Sequence, residues 1–389
     1  MINKTIIANT NKKSIKIHIL FYALFSVFFI LCTGDNVDTK AKIKVDPLFN
    51  ETSLFLAGKE IPKNSSLYKY GETNEYKNYS KEINKKWENL QALNVKKITK
   101  WKEKNFSGKF NDVIFYPFSG PDILNAHTFF PEGSKYIMFG LESPGEIPHP
   151  HKVSQDKLHQ GLNGLKKALN SILYQNFFKT IDMGKDISTN EFDSTISVIM
   201  FFLGITDHEV VSVSKIWLDE SGQIVLVKPQ TKSNKIIRGA EIVFRKANED
   251  SIKTVHYFQI DVSDDSLNIR TNFVKYLEGL GRFTTIIKSA SYLMHREKEF
   301  SKIRNLTLTQ SDYLLQDDSG IAFKYFLAKD WKLSFYGIYI KPIQLFASRY
   351  QEDFFQAMKK YSKGPLEFSY GYNAVEAKQN LMFAERIKK

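Results

Sequence analysis

Between Val113 and Leu141 two short, unbroken apolar runs flank a helix start, and few folds accommodate that order. Val113-Ile114-Phe115-Tyr116, bounded by Asp112 and Pro117, suits a strand covered on both faces. Ser119-Gly120-Pro121-Asp122 then offers a cap, a first-turn proline and an acid to a helix running to about Phe130. Tyr136 to Leu141 is a second buried strand, and strand, helix, strand in close succession is the signature of a parallel crossover.

The same reading continues down the chain. Apolar spacing predicts helices over 154–177 and 192–203 and strands near 208–217, 222–229, 237–246 and 253–262. The Glu220-Ser221-Gly222 turn should make a hairpin of the first two strands. A helix at 265–280 leading to a strand at 283–288 makes a second crossover. Short helices over 290–306, strands near 311–316, 321–326 and 331–340 as an antiparallel set, and a helix at 343–361 follow before 368–372. The expected fold class is α/β (mixed α+β): one mixed β-sheet with helices packed on it, preceded by a helical N-terminal tether.

The N-terminus reads as an address. Lys4, Lys12, Lys13 and Lys16 precede an apolar run from Ile19 to Leu31, broken only by Ser26, which is the layout of an export signal. The run is shorter than the roughly 20 residues of a membrane span. It ends at Cys32, where bacterial lipoproteins carry the cysteine that is diacylated, although Leu31 is bulkier than a lipobox prefers. Cleavage after Gly34, releasing a soluble periplasmic or secreted protein, is the alternative. The expected divisions are 1–34 as the signal, 35–108 as a polar tether with a basic amphipathic helix carrying Trp87, Leu90, Ile98 and Trp101, and 109–389 as the α/β domain.

Composition narrows the function classes. One cysteine can build neither a disulfide framework nor a thiolate zinc cage. The 55 Lys+Arg against 42 Asp+Glu leave a net charge of +13, spread along the chain rather than clustered, which favours an anionic envelope polymer or lipid surface over nucleic acid.

Polar residues at strand ends are the candidate site. Ser119, Asp122 and His127 sit at or beyond the end of the first strand and Glu142 at the end of the second, where open α/β sheets bind ligands. The hydrolase nucleophile elbow places glycines two residues either side of its serine, and both places around Ser119 hold proline. Lys288, Ser289, Ser291, Tyr292 and His295 gather polar groups at a later strand-to-helix junction, where a lysine- or histidine-assisted serine nucleophile is conceivable, and Asp317-Asp318 precede Ser319-Gly320 in a turn. These groups serve acid–base or ligand-binding roles as readily as turn chemistry. His149, His151 and His159 form the only histidine cluster, but no third metal ligand is fixed by spacing, so no metal site and no cofactor are assigned.

Taken together, Phe115 to Asp122, Gly140-Leu141-Glu142, Lys288 to His295, Leu315 to Gly320 and Tyr336 to Tyr339 resemble a family of uncharacterised bacterial exported proteins and lipoproteins over about 110–372. The resemblance implies an address in the cell envelope and brings no reaction or catalytic residue. The expectation is a lipid-anchored envelope protein of the binding or scaffolding kind, with an exported hydrolase using Ser119, Asp122 and His127 as the alternative.

Overall fold

The computed structural model describes residues 45–176, 192–230, 233–372 and 379–388. Among these residues ten strands form one sheet: β1 (Val113–Tyr116), β2 (Lys135–Gly140), β3 (His208–Leu218), β4 (Ile224–Val225), β5 (Ile237–Lys246), β6 (Ile252–Gln259), β7 (Phe283–Ile287), β8 (Ser311–Gln316), β9 (Trp331–Gly337) and β10 (Asn380–Arg386). Across the sheet the order is β4-β3-β5-β6-β2-β1-β7-β8-β10-β9. The five central strands, β6 to β8, run parallel, and the strands on either side are antiparallel.

Among the described residues eleven helices cover it: α1 (Pro47–Leu56), α2 (Tyr68–Gly71), α3 (Asn74–Leu90), α4 (Lys96–Asn105), α5 (Ile123–Phe129), α6 (Gln155–Gln175), α7 (Thr195–Ile205), α8 (Asp264–Ile269), α9 (Thr271–Gly279), α10 (Ser301–Gln310) and α11 (Glu352–Tyr361). Alternation along the strands sorts the core into two layers. Ile114, Tyr116, Tyr136, Met138, Val255 and Tyr257 face α1–α7, whereas Phe115, Ile137, Phe139, Phe258 and Phe283 face α8–α11. All eleven residues of α7 are buried, as befits a helix apolar on every side.

The chain from 45 to 105, within the 35–108 segment expected as a polar tether with a basic helix, packs into the core through Phe55, Leu56, Tyr76, Ile83 and Ile98. Asp46 caps α1 by accepting from Leu48 N at 2.9 Å, and Ser53 Oγ donates to the Met200 carbonyl at 2.7 Å. A Cβ on Gly204 would stand 2.5 Å from the Ser53 carbonyl, so glycine lets α7 approach α1 this closely. The Tyr76 and Tyr79 hydroxyls donate to carbonyls at the end of α1, fixing α3 against it. The expected amphipathic helix is α3 and α4, joined through a π-helical turn at Gln91–Val95, and it packs Trp87, Leu90 and Ile98 into the core. Residues 1–44, with the signal and Cys32, lie outside the described residues.

Both crossovers form, and several details differ from the sequence reading. The expected 222–229 strand is only Ile224–Val225, and the expected 343–361 helix is a 3-10 segment at Gln344–Arg349 followed by α11. β8 pairs parallel with β7. Residues 321–326 hold a short 3-10 turn in place of a strand, because Gln316 satisfies both the N–H and the carbonyl of Ile321. β10 was not foreseen: Leu, Met, Ala, Glu and Arg favour helix, and insertion between β8 and β9 overrides that preference.

Candidate functional site

The carboxyl ends of β6, β2, β1, β7 and β8 lie along one edge of the sheet. From β1 the chain moves one way through β2 to β6, then returns to the other side of β1 as β7. That reversal is the switch point at which α/β folds open a crevice. Two strand ends there are held in left-handed backbone by residues other than glycine: after β1, Phe118 has φ +59°, and after β7, Ser289, Ser291 and Tyr292 have φ +52°, +52° and +54°. Each such residue costs on the order of 1–2 kcal/mol, and strain of this kind gathers at functional sites.

Beneath the edge lies a buried charge network. Asp122 caps α5 by accepting from Asn125 N at 3.1 Å, and it also accepts from the Tyr116 hydroxyl at 2.9 Å and from Lys288 Nζ at 3.3 Å. Lys288 also donates to the carbonyl of Asn176, the left-handed residue that ends α6. Burial pushes the Lys288 ammonium below its ordinary range, against the opposing pull of Asp122. Asp317 accepts from Ser319 Oγ at 2.6 Å, and burial together with the neighbouring Asp318 pushes it up to about 7. Burial also raises Asp318, which accepts from Tyr292 and from Asn380 Nδ2. His295 donates through Nε2 to the Asp318 carbonyl at 3.1 Å, and burial lowers it to about 4.

Above this layer opens a cleft of about 110 Å³ whose walls include Phe118, Phe139, Leu141, Ile260, Leu293 and Phe300. Glu142 and Ser289 also line it, and their buried Oε2 and Oγ atoms have no hydrogen-bond partner among the described residues. Burial pushes the Glu142 carboxyl above the usual carboxylate range. A Cβ on Gly140 would lie 2.6 Å from Glu142 Oε2 and 2.9 Å from the Tyr257 hydroxyl, so glycine leaves room for that carboxyl at the end of β2.

The structure therefore brings Asp122, Lys288, Asp317, Asp318 and His295 to one edge, with Glu142 in the cleft. Ser119 turns away from the opening, its Oγ donating to the Gly120 carbonyl at 2.9 Å, and neither it nor 316–320 lines the cleft. His127 is not a neighbour of Ser119. Its ring stands edge-on to His208 at 4.5 Å and packs on Phe244, and burial holds it well below the usual histidine range. Ser119, Asp122 and His127 accordingly form no nucleophile–base pair. Sequence reading missed Phe118 and Phe300 in the cleft and Tyr116, Asn176 and Asn380 in the network. Ser289 and Tyr292 were singled out with the polar junction after β7, and the structure places Ser289 on the cleft and Tyr292 in the network.

Among the described residues no three His, Cys, Asp or Glu side chains gather to hold a metal ion, and no helix is long and apolar enough to cross a membrane. A wider groove of about 810 Å³ lies between the β3–β5 ribbon and the turn after β2, lined by Trp217, Lys215, Lys228, Arg238 and Glu146. No protein-family model, curated protein or solved structure matches the chain.

Proposed function

We propose that the protein is an envelope-anchored binding protein whose small ligand occupies the carboxyl-edge cleft. The observation that carries this reading is a mainly apolar cleft of about 110 Å³ at the switch point, walled by Phe118, Phe139, Leu141, Ile260, Leu293 and Phe300, with the polar residues Glu142 and Ser289 among its lining. A hydrolytic role needs a nucleophile hydrogen-bonded to a base, and Ser119 is spent on a backbone carbonyl. The basic segment and apolar run ending at Cys32 support the lipid anchor. The anionic envelope polymer expected from the basic composition finds its best match in the groove of Lys215, Lys228 and Arg238.

The test is a screen of small amphipathic molecules by thermal shift, followed by methyl NMR. Stabilising compounds should move the signals of Leu141, Ile260, Val262 and Leu293. Compounds that stabilise while moving only signals of the β3–β5 groove would overturn the assignment of the cleft.

A further inference from the structure

We propose that the outer face of α3 and α4 docks on an anionic lipid surface, with five lysines meeting phosphate headgroups and Leu93 entering the interface between them. The inference rests on the proposed envelope address and adds which surface of the body meets the lipid.

The two helices run on from one another over Asn74–Asn105 through the π-helical turn at Gln91–Val95. One side is spent on the core, where Tyr76, Tyr79, Ile83, Trp87, Leu90 and Ile98 are buried. The other side carries Lys81, Lys85, Lys96, Lys100 and Lys104, all exposed, over about 35 Å of helix. None of the five has a hydrogen-bond or ion-pair partner among the described residues, whereas Lys77, Lys102 and Lys166 are each paired with a glutamate. Between Lys81 and Lys104 the unpaired acids are Glu88 and Glu103, so the face stays positive.

The spacing points to an anionic partner. Lysines four residues apart on a helix repel, and 81–85, 96–100 and 100–104 are three such pairs. An array of phosphates turns that repulsion into attraction, each lysine near the headgroups adding its share. Leu93 is 60% exposed on the π-helical turn between the two lysine groups, and it is the one large apolar side chain exposed along Asn74–Asn105. Lysines flanking an exposed leucine suit a helix lying in the headgroup plane, and a compact anion would leave most of so long a row unmet. Pro47, where α1 begins, follows Cys32 by fifteen residues, a reach of about 50 Å when extended, so an acylated chain keeps its body close to a bilayer. A polybasic face is the second signal that turns such tethering into stable attachment.

The test places the full-length protein on nanodiscs of phosphatidylcholine, with or without about 30% phosphatidylglycerol, doped with a gadolinium-chelating lipid, and reads leucine methyl signals. On the anionic discs the Leu93 methyls should broaden, while those of Leu226 and Leu345, exposed elsewhere, stay sharp. An N-terminal acyl or apolar anchor inserts into both discs alike, so the ratio of affinities reports the charged face. The triple variant Lys96→Gln, Lys100→Gln, Lys104→Gln should lower that ratio about a hundredfold with an unchanged thermal midpoint. Lys329→Gln, Lys341→Gln, Lys359→Gln makes the same change of net charge at exposed positions elsewhere and should lower it less than about fivefold. Broadening of Leu226 or Leu345 in place of Leu93, equal affinity for the two discs, or equal losses in the two triple variants would overturn the docking face. A mature N-terminus without lipid would end the anchor reading and leave these comparisons in force.

Discussion

At position 122 one carboxylate performs two tasks, capping α5 through Asn125 and neutralising Lys288 at 3.3 Å in a site from which water is excluded. The tasks differ in magnitude. Loss of a helix-dipole charge costs at most about 1 kcal/mol, whereas stranding a buried cation costs about 3–5 kcal/mol. Asp122→Asn should therefore lower stability by about 3 kcal/mol in urea unfolding, and the double variant with Lys288→Met should recover more than half of it. Recovery of nothing would mean that the cap dominates. Asp317 gives a pH dependence of definite sign. Its carboxyl is held at about 7 against an ordinary 3.8, so between those values the folded state binds the proton more tightly than the unfolded one. The Asp317 contribution to stability is greatest below about pH 4 and is lost towards pH 7 by up to about 1.4 kcal/mol per unit, against a contribution of opposite sign from His127 and His295, which burial holds below the ordinary histidine range. The urea midpoint of the wild type relative to Asp317→Asn should therefore fall between pH 4 and pH 7. The acids and Lys288 were legible in the sequence as polar residues at strand ends. Their partners were not, because Asn176 and Asn380 reach the network from distant parts of the chain and no local pattern marks them.

At the scale of elements, the segment from Ser289 to Tyr292 is the sharpest departure from ordinary backbone. Both crossovers were legible because a strand buried on two faces is an unbroken apolar run and its helix begins with a cap. Left-handed residues carry no such mark when they are serine or phenylalanine. Ser289→Gly tests the strain directly, since the Ser289 hydroxyl has no partner among the described residues to lose. Glycine relieves about 1–2 kcal/mol of backbone strain and adds about 0.5–1 kcal/mol of unfolded-state entropy. The variant should gain about 0.5–1 kcal/mol in thermal or urea unfolding, and a loss of stability would show that the surrounding contacts do not strain this turn. α1 illustrates the opposite failure of legibility. Leu54-Phe55-Leu56 is too brief for a periodicity argument, and its partner α7 lies far along the chain.

For the whole molecule, the sheet fixes where the cleft opens, and the proposed anchor fixes where the protein resides. If Cys32 is lipidated, Cys32→Ala should move the protein from the membrane to the soluble fraction without changing its melting temperature, because α1 begins only at Pro47. Unchanged fractionation, with no lipid on the mature N-terminus, would end that reading. The position of β10 sets the order in which the fold can be completed. Residues 380–386 follow every other strand in the sequence, yet they are hydrogen-bonded on both sides, between β8 and β9. A ribosome releasing this chain residue by residue delivers that strand after the nine it joins, so β9 gains its link to β8 only once residues 380–386 have emerged. The parallel centre can assemble before then, and a message truncated before codon 380 would yield a chain with an open β8 edge and a β9 cut off from the rest of the sheet, a ready target for proteolysis.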